Sequence, residues 1–244
     1  MQLAGTTAVV TGGARRVGRH VARRLAERGA NIVINYRTSA AEAKELVREL
    51  AGTGIRALAV RADVSTAKGV QSVLDAAVDA FGSVEVLVNN ASVYERTPIG
   101  TLTLDDWDES IAVNLMGSVY GAWKFGLHMR DKGRGKIINM ADWAVERPYR
   151  DYAPYFVAKG GIVALTRVMA KELAPHVHVN AIAPGPILLP EKTSAATVRA
   201  IKKAVPLGRL GHPEDIAQTI LYLVEGTDFV TGAVIPVDGG RQVS

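Results

Sequence analysis

The chain contains no cysteine. That removes disulfides, a thiol nucleophile and a thiolate metal site, and it suits a reducing cytoplasm. Histidine is scarce. His20, His128, His176, His178 and His212 make no triad, and only His176 and His178 are spaced to face one way on a strand. Two ligands without a third make a poor metal site, so no metal is expected. No apolar run approaches the roughly 18–20 residues that cross a bilayer. Met1 to Gly5 leads directly into a strand pattern with no signal-peptide pattern, so a cytoplasmic protein without a membrane partner is expected. Charge of one sign is not in large excess either: 29 Lys and Arg stand against 24 Asp and Glu, a formal +5. The bases are spread over Arg15 to Arg28 and Arg199 to Lys203 and form no polybasic tail. That distribution suits a small anionic ligand and solvated helices, not nucleic acid.

What is present is a regular alternation. The 244 residues, 48% of them hydrophobic, suffice for one sizeable core. Strand patterns occur at Thr6 to Val10, Asn31 to Asn35, Ile55 to Arg61, Val84 to Val88, Lys136 to Met140, Val177 to Ile182 and Ala233 to Val237. Between them lie helical patterns. Arg15 to Arg28 carries Val17, Val21 and Leu25 on one face and is closed by Gly29. Ser39 is placed to cap a helix running to about Ala51. The next helix carries an apolar stripe from Val70 to Phe81, and a long one spans Leu104 to Arg130. Tyr152 to Leu173 and Pro213 to Val224 complete the set. Strands followed by amphipathic helices predict right-handed βαβ units. The expected fold is α/β: a single doubly wound Rossmann domain over residues 1–244, with a mostly parallel seven-stranded sheet flanked by helices on both faces. The irregular stretch 184–206, with Pro184, Pro186, Pro190 and Pro206 around a short polar helix, reads as a substrate lid.

Two local patterns carry chemistry. The first is Thr11-Gly12-Gly13-Ala14-Arg15-Arg16-Val17-Gly18, between the first strand and its helix. Gly12 and Gly18 let backbone approach a ligand, and the helix N-terminus offers free N–H groups to a pyrophosphate. The second is Tyr155-Phe156-Val157-Ala158-Lys159. A Tyr and a Lys four apart share a helix face, and an ammonium there is expected to lower the phenol pKa. Tyr120 and Lys124 repeat the spacing, but mid-helix and away from any strand end, so packing accounts for them. Tyr149 and Tyr152 have no such lysine and either line a pocket or pack.

Over its whole length the chain resembles the short-chain dehydrogenase/reductases. Thr11 to Gly18 is similar to the family's T-G-x-x-x-G-x-G, with Arg16 where the middle glycine stands and its guanidinium expected near the phosphates. The resemblance implies a nicotinamide cofactor. An acid at the end of the second strand would bind the ribose of NAD. This chain has Asn35-Tyr36-Arg37-Thr38-Ser39 there, so Arg37, with Ser39 and Arg16, is expected to accept the 2′-phosphate of NADP(H). Cofactor-binding positions follow from the resemblance: Gly12, Arg15, Arg16, Val17 and Gly18; Tyr36 to Ser39; the adenine-side pair Asp63 and Val64; Asn90, Ala91 and Ser92, the last replacing a glycine; Tyr155 and Lys159; and Pro184, Gly185 and Ile187. Asn114 matches the residue that bends the long helix and holds a water in the proton relay to the lysine. Catalytic positions are then Asn114, Asp142, Tyr155 and Lys159, and a homotetramer is implied.

Asp142 stands where most of the family has Ser. An ionised carboxylate cannot donate a hydrogen bond to a developing alkoxide. It can assist proton delivery to the nitrogen of a C=N bond. Alternatively the carboxyl is protonated and serves as the serine would. The segments Thr11 to Arg19, Asn35 to Ala43, Asn89 to Tyr94 and Ile137 to Glu191 resemble pteridine reductases. That resemblance implies NADPH-dependent hydride transfer to a pterin-like C=N bond, with Arg16, Ser92, Tyr94, Asp142, Trp143 and Tyr155 at the substrate. Tyr94 falls where an aromatic ring sandwiches the pterin, and Trp143 reshapes the pocket. The alternative is a 3-oxoacyl-carrier-protein reductase or another carbonyl reductase. A non-catalytic NADP-sensing protein is a different class, which an intact Tyr155, Lys159 and Asn114 argue against.

Overall fold

The computed structural model describes every residue except Glu191. That residue, the last of the Ile137 to Glu191 resemblance, lies outside the described residues. Seven strands form one sheet in the order β3-β2-β1-β4-β5-β6-β7. They are β1 (Thr7–Val10), β2 (Asn31–Tyr36), β3 (Ala57–Arg61), β4 (Val86–Asn89), β5 (Gly135–Met140), β6 (Val177–Pro184) and β7 (Val234–Val237). Every pairing is parallel, so the sheet is wholly and not mostly parallel. The strand order reverses after β3, so that β2 and β4 lie on either side of β1. That switch opens a crevice at the carboxyl ends of the strands, the usual ligand site of such sheets.

The side-chain period of two sorts the strands' residues into two layers. Ala8, Val10, Ile32, Ile34, Val86, Val88 and Ile138 face α1 (Arg16–Glu27), α2 (Ala40–Ala51) and α8 (Pro213–Leu221). Val9, Val33, Leu87, Ile137 and Val179 face α3 (Ala67–Phe81), α5 (Gly117–Asp131) and α6 (Ala153–Glu172). Helices on both faces leave no polar side for the inner strands, which explains their continuous apolar runs.

Three expectations change. The long helix is not uniform: α4 (Leu104–Ile111) passes through a π turn over Ala112–Met116 before α5 begins. Ser39 does not cap α2, because its side chain makes no bond to the first turn. The last predicted helix ends as α8 at Leu221 and continues as a π turn over Tyr222–Gly226. The polar helix within 184–206 is α7 (Ala195–Ala204), which has no buried residue.

Candidate active site

Thr11, just past β1, ties the switch point together. Its Oγ1 accepts from the backbone N–H groups of Asn90 (2.9 Å) and Ala91 (3.0 Å), and Asn90 Nδ2 donates to its carbonyl (2.8 Å). The loop then bends at Gly12, whose φ of +59° favours glycine, and where a Cβ would come within 3.0 Å of Ala91 Cα. At Gly18 a Cβ would lie 2.6 Å from Asn90 Nδ2. Arg16 holds φ +51°, in the left-handed region where the family pattern has glycine. Its guanidinium is not given over to the phosphate loop alone. Nη2 donates to the Leu188 carbonyl at 2.5 Å, across to the segment that follows β6.

A cavity of about 550 Å³ runs from this loop past Arg37, Thr38 and Ser39 to Asp63 and Val64, and back to Asn90, Ala91 and Ser92. Arg15, Arg16 and Val17 line it as expected. Tyr36 does not: its side chain is half-buried against the α1–α2 layer, since alternation along β2 turns it away. Asn35, which the motif reading passed over, lines the cavity and binds Ala62 O through Nδ2 (3.0 Å). Arg37 is half-exposed and 3.9 Å from the Asp63 carboxylate. Hydrogen bonds from Ser65 hold Asp63 below the usual carboxylate range, helped by Arg37.

The carboxyl end of β5 and the first turns of α6 bring the reactive groups together. Tyr155 and Lys159 share the inward face of α6 and are both buried, with 8% and 3% of their surface exposed. Lys159 Nζ donates to the Met140 carbonyl at 2.7 Å. Asp142 opens a tight turn over Trp143–Val145. One carboxyl oxygen, Oδ1, accepts from Ala144 N (2.8 Å), and the other accepts from the Tyr155 hydroxyl (2.9 Å). Burial raises the Asp142 pKa, opposed by Ala144, Tyr155 and Lys159. Burial lowers that of Lys159 to about 8. The expected depression of Tyr155 by Lys159 does not hold among the chain's own groups. Desolvation, then Asp142, pushes the phenol well above its ordinary range, while the ammonium is bound to Met140 and lies 5.6 Å from the ring centroid.

Asn114 sits inside the π turn and is buried. Its Oδ1 accepts from Ser92 Oγ (2.7 Å) and Val93 N (2.9 Å), and Nδ2 donates to Ser110 Oγ (3.1 Å). The hydroxyl of Ser92 is therefore turned to Asn114 as well as lying at the cavity wall. The second Tyr–Lys pair is elsewhere: Lys124 Nζ donates to Gln71 on α3, and Tyr120 packs between helices. His178 Nδ1 lies 2.7 Å from Lys136 Nζ, and no group of three metal-ligating side chains occurs among the described residues.

Above Tyr155 opens a second cavity of about 680 Å³, bounded by Pro184, Gly185, Ile187, Leu188 and α7. Tyr94 stacks on Tyr152 (4.5 Å between centroids, 14° between planes) and meets Tyr155 edge-on (4.8 Å). One face of Tyr94 is thus covered by a neighbour, which the expectation of an open sandwich did not include. Its hydroxyl lies 2.5 Å from that of Tyr149. Tyr149 and Tyr152 line this cavity, as do Trp143 and Arg241. No local signal marks Arg241. It reaches the site only because β7 returns the chain to the carboxyl edge of the sheet.

A family model described as enoyl-(acyl carrier protein) reductase matches residues 12–242. The chain belongs to the short-chain dehydrogenase/reductase family. This short-chain dehydrogenase/reductase is 38% identical to 3beta-hydroxysteroid dehydrogenase 1 of Eggerthella lenta, over 99% of this chain and 95% of the relative. It is 35% identical to a 3-oxoacyl-[acyl-carrier-protein] reductase of Synechocystis, over 98% and 97%. Among solved structures, FolM alternative dihydrofolate reductase 1 of Brucella canis, complexed with NADP, superposes with a TM-score of 0.93 at 30% identity, covering 100% of this chain and 96% of that one. This short-chain dehydrogenase/reductase is therefore an oxidoreductase, of a family that uses a nicotinamide cofactor. Its residues fit one: Gly12 and Gly18 line the cavity and are packed so closely on Ala91 and Asn90 that a Cβ would force the loop out of place, the α1 N-terminus is uncapped, and a cationic Arg37 lies beyond them. The same arrangement serves the pyrophosphate and the adenosine end of a dinucleotide.

Proposed function

We propose that the protein is an NADP(H)-dependent reductase of carbonyl compounds. The observation that carries this is the buried Asp142–Tyr155 contact at the floor of the cavity. Bound NADPH supplies the hydride. Tyr155 gives its proton to the carbonyl oxygen as negative charge develops there. Desolvation raises the Asp142 pKa and so favours the protonated carboxyl, the form that donates where an ionised group would repel. It then does the work of the serine more usual in the family. Lys159, fixed by Met140 O, opposes the charge left on the phenol. Asn114 keeps one Nδ2 hydrogen beyond the bond to Ser110 for a water in the proton relay. Gly12, Arg15, Arg16, Val17, Gly18, Arg37, Thr38 and Ser39 bind the cofactor, and 184–206 acts as the lid. Relatives named as a hydroxysteroid dehydrogenase and a 3-oxoacyl reductase support carbonyl chemistry. The exposed Trp123, Val157 and Val168 on α5 and α6 support self-association into a homotetramer, which light scattering on the eluted protein tests.

A second reading is reduction of a pterin-like C=N bond. It is favoured by Arg16, Ser92, Tyr94 and Asp142 together, and by the likeness to FolM. Steady-state turnover of 3-oxoacyl thioesters, aromatic ketones and dihydropterins separates the two. On the carbonyl reading Asp142→Ser keeps ketone reduction within about tenfold, since a hydroxyl replaces the carboxyl donor. A wild type that reduces only dihydropterin, and loses about 10²–10⁴ of that rate in Asp142→Ser, would reverse the order.

A further inference from the structure

The cavity above Tyr155 carries more positive charge than carbonyl reduction requires. Four charged side chains line it: Arg16, Asp142, Lys159 and Arg241. Asp142 and Lys159 belong to the acid–base set. Arg16 is shared with the phosphate loop and bound to Leu188. Arg241 lines this cavity and not that of the phosphate loop, and nothing in the proton chemistry uses it.

Its placement is built. Beyond β7 the buried carboxylate of Asp238 accepts from Gly240 N (2.9 Å) and Gln242 N (2.6 Å), which shapes the turn on either side of Arg241. The guanidinium lies over the ring of Trp143, 4.9 Å from its centre, and Trp143 directly follows Asp142. One nitrogen donates to Ser244 Oγ at 3.1 Å. Stacking uses the face of a guanidinium and leaves other N–H groups in its plane, the geometry that suits a carboxylate. Around it the aromatic rings of Tyr94, Trp143, Tyr149, Tyr152 and Tyr155 line the same cavity.

We propose that Arg241 is a specificity-determining residue, and that the substrate is a planar aromatic compound bearing a carboxylate that Arg241 binds. Its assignment as a carbonyl substrate rests on the function proposed above; the carboxylate subsite rests on Arg241 and the aromatic wall alone.

The test separates the two. Calorimetric titration of the NADP-saturated protein with 2-naphthoate and with 2-naphthamide reads the subsite without turnover. The acid should bind at least about tenfold more tightly than the amide. In Arg241→Leu that ratio should fall to within about threefold, and Arg241→Lys should recover part of it. A merely structural arginine would weaken acid and amide alike. Equal binding by the wild type, or a ratio that survives Arg241→Leu, overturns the proposal. In parallel, benzoylformate and its methyl ester serve as carbonyl substrates, with the acid expected to have the lower KM. If neither is reduced while naphthoate keeps its advantage, the carbonyl reading fails and the carboxylate subsite stands.

Discussion

At the scale of single residues the site turns on one shared contact. Tyr155 donates to Asp142, and burial moves both pKa values upward. For the proposed carbonyl reduction the useful form of Asp142 is the protonated one. It is present below the raised pKa and lost as pH rises through it. Lys159 follows the same direction, charged below about 8 and neutral above. The kcat/KM for ketone reduction should therefore fall toward alkaline pH in two steps, one near 8 from Lys159 and one at the raised pKa of Asp142. Asp142→Ser should remove the Asp142 step and keep the one near 8. A profile with both steps intact in Asp142→Ser would show that the carboxyl does not titrate in catalysis. Tyr155→Phe should abolish turnover while NADPH still binds, measured by fluorescence of the bound cofactor. Tyr120→Phe, on a ring that only packs, should be nearly silent.

At the scale of elements the loop after β1 and the segment after β6 are joined through an unusual residue. Arg16 occupies φ +51°, which costs a non-glycine residue roughly 1–2 kcal/mol. Its guanidinium contact with Leu188 offsets part of that cost. Arg16→Gly removes the contact and the strain, and Arg16→Ala removes the contact alone. Calorimetry should therefore place the glycine variant about 2–8 °C above the alanine variant in Tm. If 184–206 acts as the proposed lid, both should show a raised KM for the substrate, because that segment has lost its tie to the loop. Equal Tm values would mean that the backbone relaxes out of the left-handed region. A second tie acts on the catalytic helix. Asn89, Asn139 and Thr166 form a buried hydrogen-bond chain from β4 through β5 to α6, which fixes the helix carrying Tyr155 against the strand that ends at Met140.

At the scale of the whole molecule, cofactor choice is a stability effect. A ligand that binds only the folded state stabilises it by about 2.7 kcal/mol at a hundred times its Kd. A charge-assisted contact to the 2′-phosphate by Arg37 is worth roughly 1.5–3 kcal/mol, about tenfold or more in affinity. At equal saturating concentration NADPH should raise Tm above NADH by about 3–12 °C. Arg37→Asp should abolish or reverse the difference. Equal shifts in the wild type would show that Arg37, already 3.9 Å from Asp63, is spent on that carboxylate.

Local periods carried much of this in the bare sequence. The alternation of strands and helices, the turn at Gly12, and the i, i+4 pairing of Tyr155 with Lys159 are short-range relations, so they stand in one dimension. Position along the alternation also separated Tyr155 from Tyr120, because only one pair follows a strand end. Tertiary structure decided what depends on distant chain segments. The π turn at Asn114 arises where Ser92 and Val93 draw its amide toward the switch point. The pKa of Tyr155 is set by desolvation and by Asp142 more than by its helical neighbour, because burial is a property of the packed molecule. Tyr36 faces the core while its neighbour Arg37 faces the cavity, a matter of strand phase. Arg241 lies 99 residues or more in sequence from every element of the acid–base set except α6, and meets Trp143 only through the return of β7. No periodicity encodes such a contact, since it exists only once the sheet has closed the distance.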